Sequence, residues 1–270
     1  MDQLIKLIGH EYTVKKISRT LCDLTQELHP EVVGAMHITC ADETEYECAL
    51  AFQKGFVQHH LPQLKFAHQS PFRISNLGGR YERGAISIAE EHFVLPKNSP
   101  GFKLFISKIN SHVGVTCENS KESYGILKRY GKESTCCGAL AALMAGKQGQ
   151  FLDELRELFC SEGKDRLSIL LNPEQVAPQQ RSLYAAVISS ILQARQVMQD
   201  IRDHVSSDPV MYLVLPCVTF NRPDIDTEIL CGFFIADFRS DYLREKYVGL
   251  GDDPSTYSFT VRNQRIIIES

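Results

Sequence analysis

Val32-Val33-Gly34-Ala35-Met36-His37-Ile38-Thr39-Cys40-Ala41-Asp42-Glu43 is the stretch on which the fold turns. Residues 32–39 are few, mostly apolar and followed by a turn-type sequence, which predicts a buried strand. Cys40 then stands at the strand's C-terminal end, with the carboxylate of Asp42 two residues beyond it. Upstream, Leu4, Ile5, Ile8, Val14, Ile17, Leu21, Leu24 and Leu28 recur near helical period. They predict a helix over 3–29, closed by His29-Pro30. Downstream, a helix is expected from Thr44 through Phe52 to His59.

The pattern continues to alternate. Phe72 to Gly84 reads as a loop punctuated by Gly78-Gly79, and residues 85–92 as a short helix. Residues 102–109 alternate as a second strand that delivers His112 at its end. Gly138 to Met144 opens a helix, which puts Cys137 at a helix N-terminus, where the dipole and free N–H groups favour a thiolate. After Asn172-Pro173 comes a long amphipathic helix over 179–205, then strands over 211–220 and 229–237. A closing hairpin pairs residues 259–261 with 266–268. Strands alternating with helices argue for an α/β fold. No repeat, low-complexity tract or linker divides the chain, so residues 1–270 are expected to form a single domain.

Composition removes several classes of function. The 270 residues are 43% hydrophobic, enough for a sizeable core, and the net charge of -4 offers no electrostatic footprint for nucleic acid. The longest apolar runs, such as Val210 to Leu215, are too short to span a bilayer. Met1-Asp2-Gln3-Leu4 carries no basic segment ahead of an apolar core. A cytoplasmic protein with no membrane or nucleic-acid partner is therefore expected. Nine cysteines, odd in number and irregularly spaced, read as reduced and mostly buried thiols rather than a disulfide framework.

Three elements carry chemistry: Cys40 with Asp42, Ser111-His112-Val113-Gly114-Val115, and Ser134-Thr135-Cys136-Cys137-Gly138-Ala139-Leu140. Two thiols and an imidazole are the donor set of a catalytic zinc site, which keeps its fourth position open, whereas a structural site is closed by four ligands. From residue types alone, Cys136 and Cys137 are equivalent candidates for the second thiol. Two thiolates and a neutral imidazole leave zinc near net zero charge, with bound water titrating near about 7. Asp42 is close enough to reach that water, and carbon dioxide is the simplest electrophile for it. The remaining histidines have plainer readings: His59-His60 as a helix cap, His92 as packing. The acidic run Glu43 to Glu47 fits a helix first turn.

In this order, Cys-x-Asp at Cys40-Ala41-Asp42, the Gly78-Gly79 loop, Ser111-His112-Val113-Gly114-Val115 and Cys137-Gly138-Ala139-Leu140 resemble the low-CO2-inducible B protein family, the theta-class carbonic anhydrases. The resemblance implies a beta-carbonic-anhydrase-like mixed sheet flanked by helices. It implies a Zn2+ ion held by Cys40, His112 and Cys137, the last chosen because the family's ligand directly precedes Gly-Ala-Leu. It also implies reversible hydration of carbon dioxide to bicarbonate, with zinc hydroxide as nucleophile and Asp42 orienting it, in a homo-oligomer. One departure stands out. The family commonly shows Cys-Arg-Asp-Glu where this chain has Cys40-Ala41-Asp42-Glu43, and no arginine follows at Thr44, Glu45 or Tyr46. Asp42 then needs a cation from elsewhere: Arg80 after the double glycine first, Arg83 or Arg129 after it. Two functions compete, a zinc lyase and a non-catalytic zinc- or bicarbonate-binding regulatory homologue with a decayed Asp–Arg dyad. A third, zinc-dependent hydrolysis of a larger substrate, requires a wide pocket.

Overall fold

The first departure from expectation lies near the N-terminus: in a computed structural model of the chain, Glu11–Tyr12 form a strand, β1, rather than part of a helix over 3–29. The structure describes residues 11–12, 26–41, 72–76, 79–118, 121–129, 132–135, 137, 180–204, 208–222, 227–239, 244–249, 258–262 and 265–269. Residues 26–28 are helical and bury Leu28, so the expected helix is matched at its C-terminal end. The helices expected over 44–59 and from Gly138 lie outside the described residues.

β2 (Val32–Cys40) is buried at all nine positions, as its continuous apolar run requires of a strand covered on both faces. β3 (Phe72–Asn76) follows, where a loop was expected. Its side chains alternate between half-buried and exposed, and a five-residue edge strand is easily masked by the turn residues after it. α1 (Ala85–Glu91) matches the predicted short helix and buries Ile86 and Ala89. β4 (Lys103–Glu118) runs 16 residues, far past the expected end at Ile109. The polar run from Lys108 to His112 resembles a strand terminus, yet every residue of it is buried.

β5 (Lys121–Tyr124) turns back on β4, and β6 (Ile126–Arg129) pairs with β7 (Lys132–Thr135). α2 (Arg181–Asp203) is the long amphipathic helix, with Leu183, Val187, Ile191, Ala194, Val197, Met198 and Ile201 on its buried stripe. β8 (Val210–Asn221) is wholly buried. The strand expected over 229–237 is two strands, β9 (Thr227–Leu230) and β10 (Gly232–Asp237). The chain breaks between them at Gly232, whose φ of 136° suits glycine. β11 (Arg244–Gly249) pairs with β10. β12 (Ser258–Arg262) and β13 (Arg265–Glu269) form the predicted hairpin, with Phe259 opposite Ile268.

Among the described residues, nine strands make one mixed sheet with the main order β1-β9-β8-β4-β2-β3. Its centre, β8-β4-β2-β3, is parallel, and β9, β10, β11 and β5 add antiparallel pairs. The register decides what each face carries. Met36 lies beside Ser107 and Phe105 beside Tyr212, so Met36, Ile38, Phe105, Ile109, Tyr212 and Val214 share a face. These residues join Ile86 of α1 and Val187 and Ile191 of α2 in one apolar cluster. On the opposite face the same pleat places His37, Lys108, Asn110, Cys217, Thr219 and Glu228. That face also carries Val33, Ala35, Leu104, Ile106, Leu213 and Leu215, so its polar residues form a buried cluster beside apolar neighbours. No helix among the described residues is long and apolar enough to cross a membrane.

Candidate metal centre

Parallel strands of an α/β sheet present their functional groups at their C-terminal ends, and β2 ends at Cys40. The register of β2 with β4 stops at Ile38 beside Ile109, while β4 continues. His112 therefore lies inside β4 rather than at its end, a correction to the sequence reading, and β4 passes beyond the place where β2 gives out. Cys137 follows the β6–β7 hairpin. The Sγ atoms of Cys40 and Cys137 and a ring nitrogen of His112 all lie within 4.8 Å of one another. A tetrahedral zinc ion needs such donors about 3.5–3.8 Å apart, from bond lengths of about 2.3 Å to sulfur and 2.0–2.1 Å to nitrogen. A small contraction of the cluster would suffice, so the donor set fits the ion. Exposure of 4%, 0% and 4% for Cys40, His112 and Cys137 keeps bulk water from competing.

The surroundings orient the donors. Asn221 at the end of β8 places its Oδ1 2.9 Å from Nδ1 of His112. An amide oxygen only accepts, so this partner assigns the proton to Nδ1 and leaves the Nε2 lone pair for a metal. Cys137 holds its backbone at φ 56°, left-handed geometry that a residue with a side chain adopts at a cost of about 1–3 kcal/mol. The expected helix start after Cys137 lies outside the described residues.

Gly79 closes the base of the site. Its φ is 60°, and a Cβ there would sit 2.9 Å from the carbonyl oxygen of Asn110, 3.0 Å from the amide nitrogen of Cys40 and 3.1 Å from the carbonyl carbon of Thr39. All three are backbone atoms, so only glycine fits. Asn76 staples the same corner. Its carbonyl accepts from the amides of Ala41 (2.8 Å) and Gly79 (3.1 Å), its side-chain oxygen accepts from the Arg80 amide (2.6 Å), and its Nδ2 donates to the Arg80 carbonyl (2.9 Å). Next in the chain, the Tyr81 amide donates to Gln193 (2.6 Å) and its hydroxyl to Asp200 (2.5 Å), tying the loop to α2. Burial first, then that carboxylate, push the Tyr81 hydroxyl well above its usual range.

The expected arginine partners fare differently. Arg80 is backbone-anchored beside the site with an exposed side chain. The Arg83 guanidinium goes to α2, 3.5 Å from Asp200 and 3.1 Å from Asp203. Asp42 and the Arg129 side chain lie outside the described residues. His92 is exposed and packs on the Phe72 ring at 5.7 Å, in keeping with a packing role.

Sequence reasoning passed over a second polar cluster on the β4 face that carries Lys108 and Asn110. Lys108 Nζ lies 2.6 Å from Glu228 Oε1. Asn110 Nδ2 donates to Thr219 (2.7 Å) and Glu228 (2.8 Å), and its Oδ1 accepts from His37 Nε2 at 3.4 Å. Burial first, then the Lys108 charge, hold the His37 pKa well below its ordinary 6.5. The available clue was Lys108, Asn110 and His112 at every second position, the spacing of one face of a strand. Two further thiols, Cys217 and Cys231, are buried outside the donor set of Cys40, His112 and Cys137, and burial pushes Cys231 up to about 12 and raises Cys217 as well.

No protein-family model and no curated protein sequence matches the chain. Solved structures do match. PtLCIB4, a homologue of the limiting CO2-inducible protein LCIB, is 16% identical, with a TM-score of 0.55 over 89% of this chain and 94% of that one. LCIB itself is 14% identical, with a TM-score of 0.52 over 91% of this chain and 97% of that one. The chain has the fold of these proteins, the α/β fold with a mixed sheet that the sequence led us to expect.

Proposed function

We propose that this chain is a zinc-dependent enzyme that reversibly hydrates carbon dioxide to bicarbonate. The observation that supports it is the convergence of Cys40, His112 and Cys137 within 4.8 Å, at the edge where β2 ends. The shared fold adds weight, because the neighbours are named for induction at limiting CO2. Zinc bound there would act as a Lewis acid and lower the pKa of a coordinated water toward about 7.

The chain's own residues take the following parts. Cys40 and Cys137 serve as thiolate donors, and His112, with its proton on Nδ1, as a neutral one. Asp42 is assigned to hold and orient the proton of the attacking water, and Arg80 to supply Asp42 with a cation. Cys40 and Cys137 belong to the same apolar cluster as Val113, Val115, Tyr124 and Phe220. Apolar walls and nearly complete burial suit a small uncharged substrate and disfavour the larger one that zinc hydrolases take. A homo-oligomer is part of the same proposal.

The test is a metal analysis paired with a hydration assay. Zinc near one per chain is expected, with activity abolished in Cys40→Ala. A fully zinc-loaded protein that is inactive across a wide range of pH and redox conditions would overturn the enzymatic reading.

A specific observation favours a second reading, a zinc- or bicarbonate-binding regulatory homologue. Ala41 stands where the family carries arginine, and the Arg80 side chain is exposed to solvent. Ala41→Arg separates the two. Hydration activity gained on that substitution marks a decayed dyad, whereas unchanged high activity means that another arginine already serves.

A further inference from the structure

We infer that Asn221 is the positioning residue of this metal centre: its side-chain oxygen fixes the tautomer and orientation of His112, and it does so without adding charge. The inference rests on the zinc reading above and extends it to a residue 109 positions away along the chain.

Asn221 is the last residue of β8, and β8 and β4 stay in parallel register from Lys103 beside Val210 to Gly114 beside Asn221. His112 lies beside Thr219, so Asn221 is its diagonal neighbour on one face of the sheet. Such neighbours are within reach of longer side chains, and the separation from Nδ1 to Oδ1 is 2.9 Å. Exposure is 0% for His112 and 2% for Asn221, so water cannot replace the contact. The bond stops rotation of the ring and keeps the proton on Nδ1. Without it, the buried ring could carry its proton on Nε2 and present no lone pair to a metal held by the thiols.

Charge explains why an amide suits this position better than a carboxylate. Metal-bound histidines commonly donate their second N–H to a carboxylate or a carbonyl, which raises ligand basicity. Here two of the three donors are thiols, which as thiolates already balance a dication. A carboxylate at position 221 would place a third negative charge in a dry site, at a cost that the amide avoids. The backbone register holds the two strands together without this side chain, so its loss should register in the metal more than in the fold.

The test uses full-length apo protein titrated with Zn2+ against a chromophoric chelator. Co2+ absorption spectra and apo thermal melts are recorded in parallel. The variants are Asn221→Ala, Asn221→Leu and Asn221→Asp. Alanine and leucine should each weaken zinc binding about 10–100-fold and shift the Co2+ ligand-field bands, with melting little changed. Asp keeps an oxygen acceptor and should retain zinc binding, while its apo form melts lower because of the added buried charge. Should the alanine variant fail to fold, leucine, with the same branching and the same number of side-chain heavy atoms, carries the same test. Wild-type affinity in the folded leucine or alanine variant overturns the inference and leaves the zinc reading standing. A wild-type chain that binds no zinc overturns both, so the two failures are distinguishable.

Discussion

One strand carries two buried polar clusters of opposite character. Lys108 and Asn110 of β4 lie with Glu228, Thr219 and His37, while His112, next in the same alternation, lies with Asn221, Cys40 and Cys137. All of these residues are buried. The Lys108 cluster contains its own cation and anion, whereas the His112 cluster brings together donors suited to an external dication. Polarity and burial therefore do not separate a structural cluster from a functional one on this strand. Charge balance does. Removing one member of the self-neutral cluster should damage the fold, and removing a member of the donor cluster should damage ligand binding.

The largest effect belongs to the self-neutral cluster. Lys108→Met leaves the Glu228 carboxylate uncompensated on a dry sheet face, which typically costs about 3–5 kcal/mol. Urea denaturation should show a loss of that order. The double variant Lys108→Met/Glu228→Leu should recover most of it, since replacing both charges by apolar groups is often neutral. A loss below about 1 kcal/mol, the worth of an exposed pair, would remove the basis of the contrast.

The donor cluster should respond the other way. Cys40→Ser and Cys137→Ser should each take zinc from about one per chain to near zero while the apo protein keeps a cooperative transition. Zinc at a hundredfold excess over its Kd stabilises a folded protein by about 2.7 kcal/mol, and this shift in melting should vanish in both variants. Were Cys137→Ser to retain full zinc affinity, Cys136 would be the ligand instead.

Gly79→Ala tests where the two clusters meet. The added methyl would press on backbone atoms of Asn110, which belongs to the self-neutral cluster, and of Cys40, which belongs to the donors. With φ at 60°, the substitution also strains its own backbone, at a cost of about 1–3 kcal/mol. Both stability and zinc affinity should fall together, which neither cluster's own variants should do. A drop in stability with unchanged zinc affinity would show that the Cys40 terminus moves independently of this corner.

How far the sequence could be read follows from the same contrast. β2 was legible because it is a continuous apolar run, and α2 because its apolar residues keep helical spacing over 23 residues. The candidate donors could be named by residue type, thiols and an imidazole, although His112 lies inside β4 and not at the element boundary expected of it. β4 was read short because Lys108, Asn110, Ser111 and His112 are side chains that usually mark a strand's exposed end. Lys108, Asn110 and His112 are buried with partners 109–120 residues away, Thr219, Asn221 and Glu228, and local pattern carries no trace of such pairing. Asn76 and Asn221 escaped for a related reason, whereas the Gly78-Gly79 pair was visible as the punctuation of its loop. The roles of the two asparagines are set by which backbone or ring they meet in three dimensions.

The smallest effect belongs to His37, on the margin of the self-neutral cluster. Its Nε2 donates to Asn110, and burial, then the nearby Lys108 charge, holds its pKa well below the ordinary 6.5. The unfolded chain therefore binds a proton at a higher pH than the folded one does. This contribution to stability is complete above about pH 6.5 and is lost as pH falls below that value, until the folded-state pKa is reached. The linkage slope for one such proton is at most about 1.4 kcal/mol per pH unit. His37→Gln keeps an N–H to offer Asn110 and removes the titration, so its urea-derived stability should fall less steeply below pH 6.5 than that of wild type. Parallel profiles for the two proteins would mean that His37 takes up its proton over the same pH range folded and unfolded, so that it is charged in the folded state below about pH 6.5. In that case Lys108 would not be the cluster's only cation, and its charge balance would have to include a second positive group.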